Sequence, residues 1–227
     1  MKGLQLWSEV VATVGPVEIT RTVAVTWVVM ALLLLLALIA RLRLSESPSA
    51  FQEVLESFLE LTESMAREVV PGDPWRAVPV LATLWLFIGA ANLAGLVPGL
   101  TSPTSDLNTT FAFALISWSL THVFGIRDRG LRGYLAHYRE PSWVLAPFHL
   151  IAEVTRTVAL AVRLFGTMLS GEMAAVIILG VAGLLVPVPF HLLHVVIGLI
   201  QAYIFGVLTL VFIAGGMRSP DKEGGPA

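Results

Sequence analysis

Nineteen consecutive residues from Thr22 to Ala40, TVAVTWVVMALLLLLALIA, contain no Lys, Arg, Asp or Glu. At roughly 1.5 Å per helical residue they span about 28 Å, close to the thickness of a bilayer's hydrocarbon core. Arg41 and Arg43 close the run. The period then changes. Phe51, Val54, Leu55, Phe58, Leu59, Thr62, Met65, Ala66 and Val69 recur at helical spacing, while Glu53, Glu56, Glu60, Glu63 and Arg67 fill the other face. This predicts an amphipathic helix over 51–70, beside the membrane or against a partner, ended by Pro71 and Pro74.

A second apolar run, AVPVLATLWLFIGAANLAGLVPG, holds Asn92 and leads into the turn-rich stretch TSPTSDLNTT. A third, FAFALISWSLTHVFG, ends at what reads as a basic loop, IRDRGLRGYLAHYRE. From Pro147 to Leu185 runs an apolar helix carrying Glu153, Arg156, Arg163 and Glu172. It is longer than a bilayer is thick and must lie steeply tilted. The VPVPF segment reads as a turn before a last helix, from His191 to about Gly215, and a short polar tail, 217–227. The expected fold is an all-α integral membrane protein with about five inserted helices and one amphipathic helix. It forms a single membrane domain over 1–227, with an outer segment at 1–21 and a long helical hairpin at 147–215.

Composition agrees. The chain of 227 residues is 56% hydrophobic and 13% charged, with a mean hydropathy of +0.82, far above what a soluble domain needs. No cysteine is present, which excludes disulfides and thiolate metal sites. The net charge of -2 and the absence of a basic stripe exclude nucleic acid as a partner. The first apolar run starts near Thr22 and is long enough to span, so a cleaved signal peptide is not expected. No G-x-S-x-G, H-E-x-x-H or phosphate-loop pattern occurs, so no bond chemistry is expected of the chain. No cofactor or metal is expected either, the three-residue spacing of His191 and His194 being a weak ligand signal. With five passes, Arg41, Arg43, Arg67, Arg76, Arg127, Arg129, Arg132, Arg139, Arg218 and Lys222 fall on one side. The positive-inside rule makes that side, the C-terminus and the amphipathic helix cytoplasmic.

The intramembrane charges carry the functional signal. Arg163 keeps its charge at any accessible pH, and burying it costs several kcal/mol (about 3 by insertion scales) unless an anion or water meets it. Its same-face neighbours are Arg156, Ala159, Leu160, Gly166, Thr167 and Ser170, none acidic and several small, as where another helix must come close. The missing anion is expected on another chain. Glu153 lies ten residues before Arg163 and Glu172 nine after, about 15 and 13.5 Å along the axis in opposite directions. Two titratable groups flanking a fixed cation suit two half-access paths separated by a barrier.

Blander readings stand beside these. Glu153 and Arg156 are placed for an i, i+3 ion pair. His191 suits the interface, and His194 suits either packing or, with Glu172, a proton path. Asp106 and Asn108 suit the cap of the following helix.

The run EVTRTVALAVRLFGTMLSGE, followed by HVVIGLIQAYIFGVLT, resembles the signature of subunit a of F-type rotary ATP synthases, the stator channel beside the c-ring. LWLFIGAANLAGLVPG and PTSDLNTTFAFAL are similar to that family's second signature, so the resemblance covers about 75–213. It implies that Arg163 is the essential stator arginine and that its anion is the c-subunit carboxylate. It places Glu172 and His194 in the outward half-channel, Gln201 near the arginine, and Asp106 and Asn108 near the outer entrance. It also implies the c-ring, peripheral stalk subunit b and other ATP synthase subunits as partners, in the inner or plasma membrane of a bacterium. Thr167 stands where the family usually has Asn, Thr157 where Pro is frequent, and Ala159 where Ser occurs. The usual acid of the cytoplasmic path falls at His149, and Glu153, one turn on, is a substitute by geometry. These departures point to a divergent, alternative-type branch and leave open whether the ion is H+ or Na+. The rival readings are a stand-alone ion-coupled transporter with an anionic substrate on Arg163, and a membrane scaffold whose charges pair internally.

Overall fold

The computed structural model describes residues 10–14, 17–44, 49–97, 100–137, 146–182 and 187–217. Among the described residues six α-helices follow a short β-hairpin: α1 (Arg21–Leu42), α2 (Ala50–Val69), α3 (Val78–Ala94), α4 (Leu107–His137), α5 (Ala146–Ala182) and α6 (Pro187–Met217). Five segments among the described residues are long and apolar enough to cross a bilayer, Arg21–Leu42, Pro74–Ala94, Leu107–Leu131, Pro147–Val181 and Pro189–Met217. The membrane-protein architecture is that expected. Among the described residues the strands are those of the hairpin, β1 (Val10–Val14) antiparallel to β2 (Val17–Thr20), with an irregularity between Val10 and Ala12.

The amphipathic pattern of 51–70 is α2. Ser49 caps it, its hydroxyl accepting from the Gln52 N–H, and Glu63 pairs with Arg67 one turn on. Its apolar face packs on this chain's own helices: Phe58, Met65 and Val69 lie against Val70, Leu81, Trp85, Leu210 and Ile213. A second cluster joins α3, α5 and α6 through Leu84, Ile88, Leu160, Leu164, Met168 and Phe205. α3 and α6 are thus the centre of the bundle. Their close approach depends on Gly206, where a Cβ would lie 2.1 Å from Nε1 of Trp85. The indole N–H instead donates to the Tyr203 carbonyl at 3.1 Å, and the two rings stack with centroids 5.4 Å apart.

Two expectations are corrected. The basic segment after the third span is not a loop up to residue 137. The helix continues to His137 with a bend at Gly130, whose φ of 73° is cheap only for glycine. Past the bend, Tyr134 is buried and returns against Gly125, where a Cβ would meet its ring. The last helix begins at Pro187, not His191. Pro187 and Pro189 sit in its first turn, where a missing N–H leaves no bond unmade. Residues 183–186, the tail 218–227 and residues 1–9 lie outside the described residues.

Candidate functional site

α5 carries Glu153, Arg163 and Glu172, each in different surroundings. Arg163 is exposed at the surface of the bundle, next to the buried Leu164, and among the described residues no carboxylate lies within ion-pairing distance of it. Gly166 beside it has open space where a Cβ would be. Val158 and Val162 are half exposed near it, and Thr167 and Ser170 are polar neighbours on the same face. Thr167 does not hold its hydroxyl hydrogen out toward a neighbouring group: Oγ1 lies 2.9 Å from the Arg163 carbonyl and 3.1 Å from that of Leu164. Its lone pairs remain the means by which it can order water near Arg163.

Glu172 is tied to the connection between α3 and α4. Its Oε1 accepts from the Ser102 N–H at 2.8 Å. Ser102 in turn donates from its hydroxyl to the Ala91 carbonyl at 3.0 Å. Thr104 Oγ1 donates to Asn92 Oδ1 at 2.5 Å, and Asn92 Nδ2 donates to the Gly198 carbonyl at 2.7 Å. A chain of polar contacts therefore runs from the carboxylate on α5, across the 3-10 turn Pro103–Ser105, to the backbone of α6. Inside a bilayer such groups must be satisfied by protein. At Gly198 α6 packs closely on this network, a Cβ there lying 3.1 Å from that of Asn92.

The His194 imidazole lies directly over Gly171, the residue before Glu172 in the chain. The groove at that contact, about 390 Å3, is lined by Thr167, Ser170, Gly171, Ala174, Phe190, Leu193, His194 and Ile197. Gln201, 5% exposed, is buried on α6, and its Nε2 has no partner among the described residues. Asp106 is the N-cap of α4, its Oδ1 accepting from the Asn108 N–H at 2.9 Å and its carbonyl from the Thr110 N–H at 3.1 Å. The capping reading accounts for that contact, and Asn108 is exposed beside it.

Glu153 faces α4. Its Oε1 is 3.3 Å from Nε2 of His122. Arg156 places its guanidinium over the ring of Phe212 on α6, 4.5 Å from the centroid. Sequence reasoning missed His122, although an ionisable side chain within an apolar run is itself a signal. It also left Ser102 and Thr104 as turn residues. His149, where the family's acid is usual, is exposed near the start of α5.

A bundle of apolar helices holding ionisable groups at three levels along one helix defines a multi-pass membrane protein of the ion-transporting kind. Residues 23–214 match the family model described as ATP synthase A chain. The chain is 50% identical over 212 residues to ATP synthase subunit a 2 of Pelobacter propionicus, covering 93% of each. It is 46% identical over 210 residues to ATP synthase subunit a 1 of Hahella chejuensis, covering 92% of this chain and 89% of that one. It is also 42% identical over 200 residues to ATP synthase subunit a of Moorella thermoacetica, covering 88% and 92%. The chain belongs to the ATP synthase subunit a family, as a multi-pass membrane subunit of an F-type ATP synthase.

Proposed function

We propose that this chain is the stator channel of the synthase, with two half-channels that carry H+ or Na+ to and from a carboxylate on the c-ring and so couple ion flow to rotation. An ion enters past Glu172 and His194, neutralises the ring carboxylate, travels with the ring and leaves near Glu153. Asp106 and Asn108 stand at the entrance, and Gln201 and Thr167 near the arginine. Arg163 attracts the ring carboxylate once it is ionised. At 4 Å and an effective dielectric of 20 that attraction is about 4 kcal/mol, which draws the ion off the carboxylate and bars direct leakage. The partners are the c-ring, peripheral stalk subunit b, the other ATP synthase subunits and the lipid bilayer. The site is the inner or plasma membrane of a bacterium, with the C-terminus in the cytoplasm.

The observation that carries this reading is the exposed Arg163 within a mostly apolar helix, with no carboxylate beside it among the described residues of its own chain. Replacing Arg163 by Ala in the assembled enzyme is expected to abolish coupled transport. ATP-driven pumping at the normal rate in vesicles carrying that variant overturns the reading. Transport by the purified chain alone in liposomes would favour the stand-alone transporter.

A further inference from the structure

His122 is an ionisable side chain inside the bundle that this ion path leaves unused, and its ring is held from two sides. Nδ1 lies 2.9 Å from the carbonyl oxygen of Trp118, one turn back on α4. A carbonyl only accepts, so Nδ1 carries a hydrogen. Nε2 lies 3.3 Å from Glu153 Oε1. With the hydrogen on Nδ1, a neutral ring would turn its Nε2 lone pair toward a carboxylate, and the two would repel. The contact is attractive only with a second proton between them, on the ring as imidazolium or on Glu153 as the acid. The geometry suits a pair that shares one proton more than neutral imidazole plus carboxylate.

The surroundings suit exchange. The His122 side chain is 25% exposed and that of Glu153 15%, so the pair is shielded without being sealed. A cavity of about 20 Å3 touches Glu153, Ser117, Thr121 and Thr157, room for one water. Two other ionisable groups stand near. Arg156 also lines that cavity, and the buried Tyr134 has its ring 5.8 Å from the imidazole. From α6 the cavity meets only Phe212. A hard cation such as sodium wants several oxygen ligands, and an imidazole offers none.

We propose that His122 and Glu153 together form the proton-exchanging group of the exit path, so that the ion leaving at this end is a proton. The inference rests on the reading of Glu153 as the exit. A proton arriving from the ring bonds to the Glu153 carboxylate, and the imidazolium then releases its Nε2 proton to water as hydronium. The proton on Glu153 restores the starting charge by passing to Nε2. In sum one O–H bond breaks on the ring carboxylate and one O–H bond forms on water, while the bonds made and broken within the pair cancel, so that it ends as it began.

The test uses the assembled enzyme in liposomes, with ATP-driven acidification measured per assembled complex and c-ring recovery checked for each variant. Glu153→Gln and His122→Phe are each expected to slow pumping by about a hundredfold where proton transfer limits, the low end for loss of one positioned proton-transfer group. The His122→Phe loss should deepen as the pH on the ATP side rises. The double variant should be no slower than the slower single, as for groups acting as a unit. Exchanging the two, His122→Glu with Glu153→His, should recover more than either single variant. Glu153→Gln at the normal rate overturns the exit reading and the proposal with it. Slow Glu153→Gln with a normal rate and pH profile in both His122→Phe and His122→Gln overturns the proposal alone. So does a His122→Phe loss that ignores pH and is not relieved by the exchange, and so does pumping that requires added sodium.

Discussion

The imidazole of His194 stands where any side chain on Gly171 would have to be, its Nδ1 and Cε1 each 2.0 Å from the position of a Cβ there. This contact packs His194 of α6 against the backbone of α5 one residue before Glu172. Gly171→Ala must push the ring away, because the neighbour is a rigid heterocycle on a packed helix. The expected result is slowed coupled transport and a loss of about 1 to 3 kcal/mol, typical of overpacking. Gly180→Ala, which meets nothing within 4 Å, should change neither. Pumping rate and thermal unfolding of the detergent-solubilised complex measure both.

Asn92→Leu removes the donor to the Gly198 carbonyl and the acceptor for Thr104 in one step. Each bond in a bilayer contributes on the order of 0.6 kcal/mol, because the unfolded chain also finds partners there. Leaving both groups unpaired in a packed interior raises the expected loss to about 1 to 3 kcal/mol. Asn92→Asp should be worse, since it turns an acceptor toward the carbonyl. Unfolding midpoints of the two variants compared with the parent decide the order.

Asp106 has two readings that one substitution separates. Asp106→Asn keeps an oxygen to accept from the Asn108 N–H and should leave stability within a few tenths of a kcal/mol. Asp106→Ala loses the cap and should cost about 1 kcal/mol. A fall in transport with Asp106→Asn at unchanged stability assigns the charge a part at the entrance. Equal transport assigns the residue to the helix end alone.

Gly206→Ala should be among the most damaging changes away from the ion path. The new methyl would sit against Trp85 at a helix contact, displacing the indole that bonds Tyr203. About 1 to 3 kcal/mol of stability is at stake from overpacking, with about 1 more from the lost bond. Trp85→Phe, which loses the bond and keeps most of the ring, should recover part of the loss in the double variant. The double-variant cycle on unfolding free energy tests this.

Legibility in this chain depends on range. Arg163 and Glu172 announce themselves, because a charge in an apolar run is visible within a window of twenty residues. The amphipathic helix is equally plain, since its period and its proline stop are local. His122 carries a local signal too, a titratable group in an apolar run, but its meaning comes from Glu153 on a different helix, and no spacing along the chain reports that pairing. Ser102 and Thr104 read as turn residues for the same reason: their partners are Glu172 and Asn92. The basic segment after the third span reads as a loop because its charges outweigh its helical propensity. Gly130 alone absorbs the bend, and the packing of Tyr134 on Gly125 holds the last turns of α4 in place. Pro187 reads as a breaker, when a proline in a first turn is a starter.

The exposure of Arg163 bears on how long the subunit survives by itself. On the proposed function, until a counter-anion arrives lipid is the neighbour of a permanent cation, at a cost of about 3 kcal/mol by insertion scales. That is a large share of the marginal stability of a domain. On the proposed reading the ring carboxylate removes that strain, so mass action ties the lifetime of the fold to the supply of its partner. A cell that makes this chain in excess would hold a form fit for proteolysis, and matched synthesis of the two subunits would be protective as well as economical.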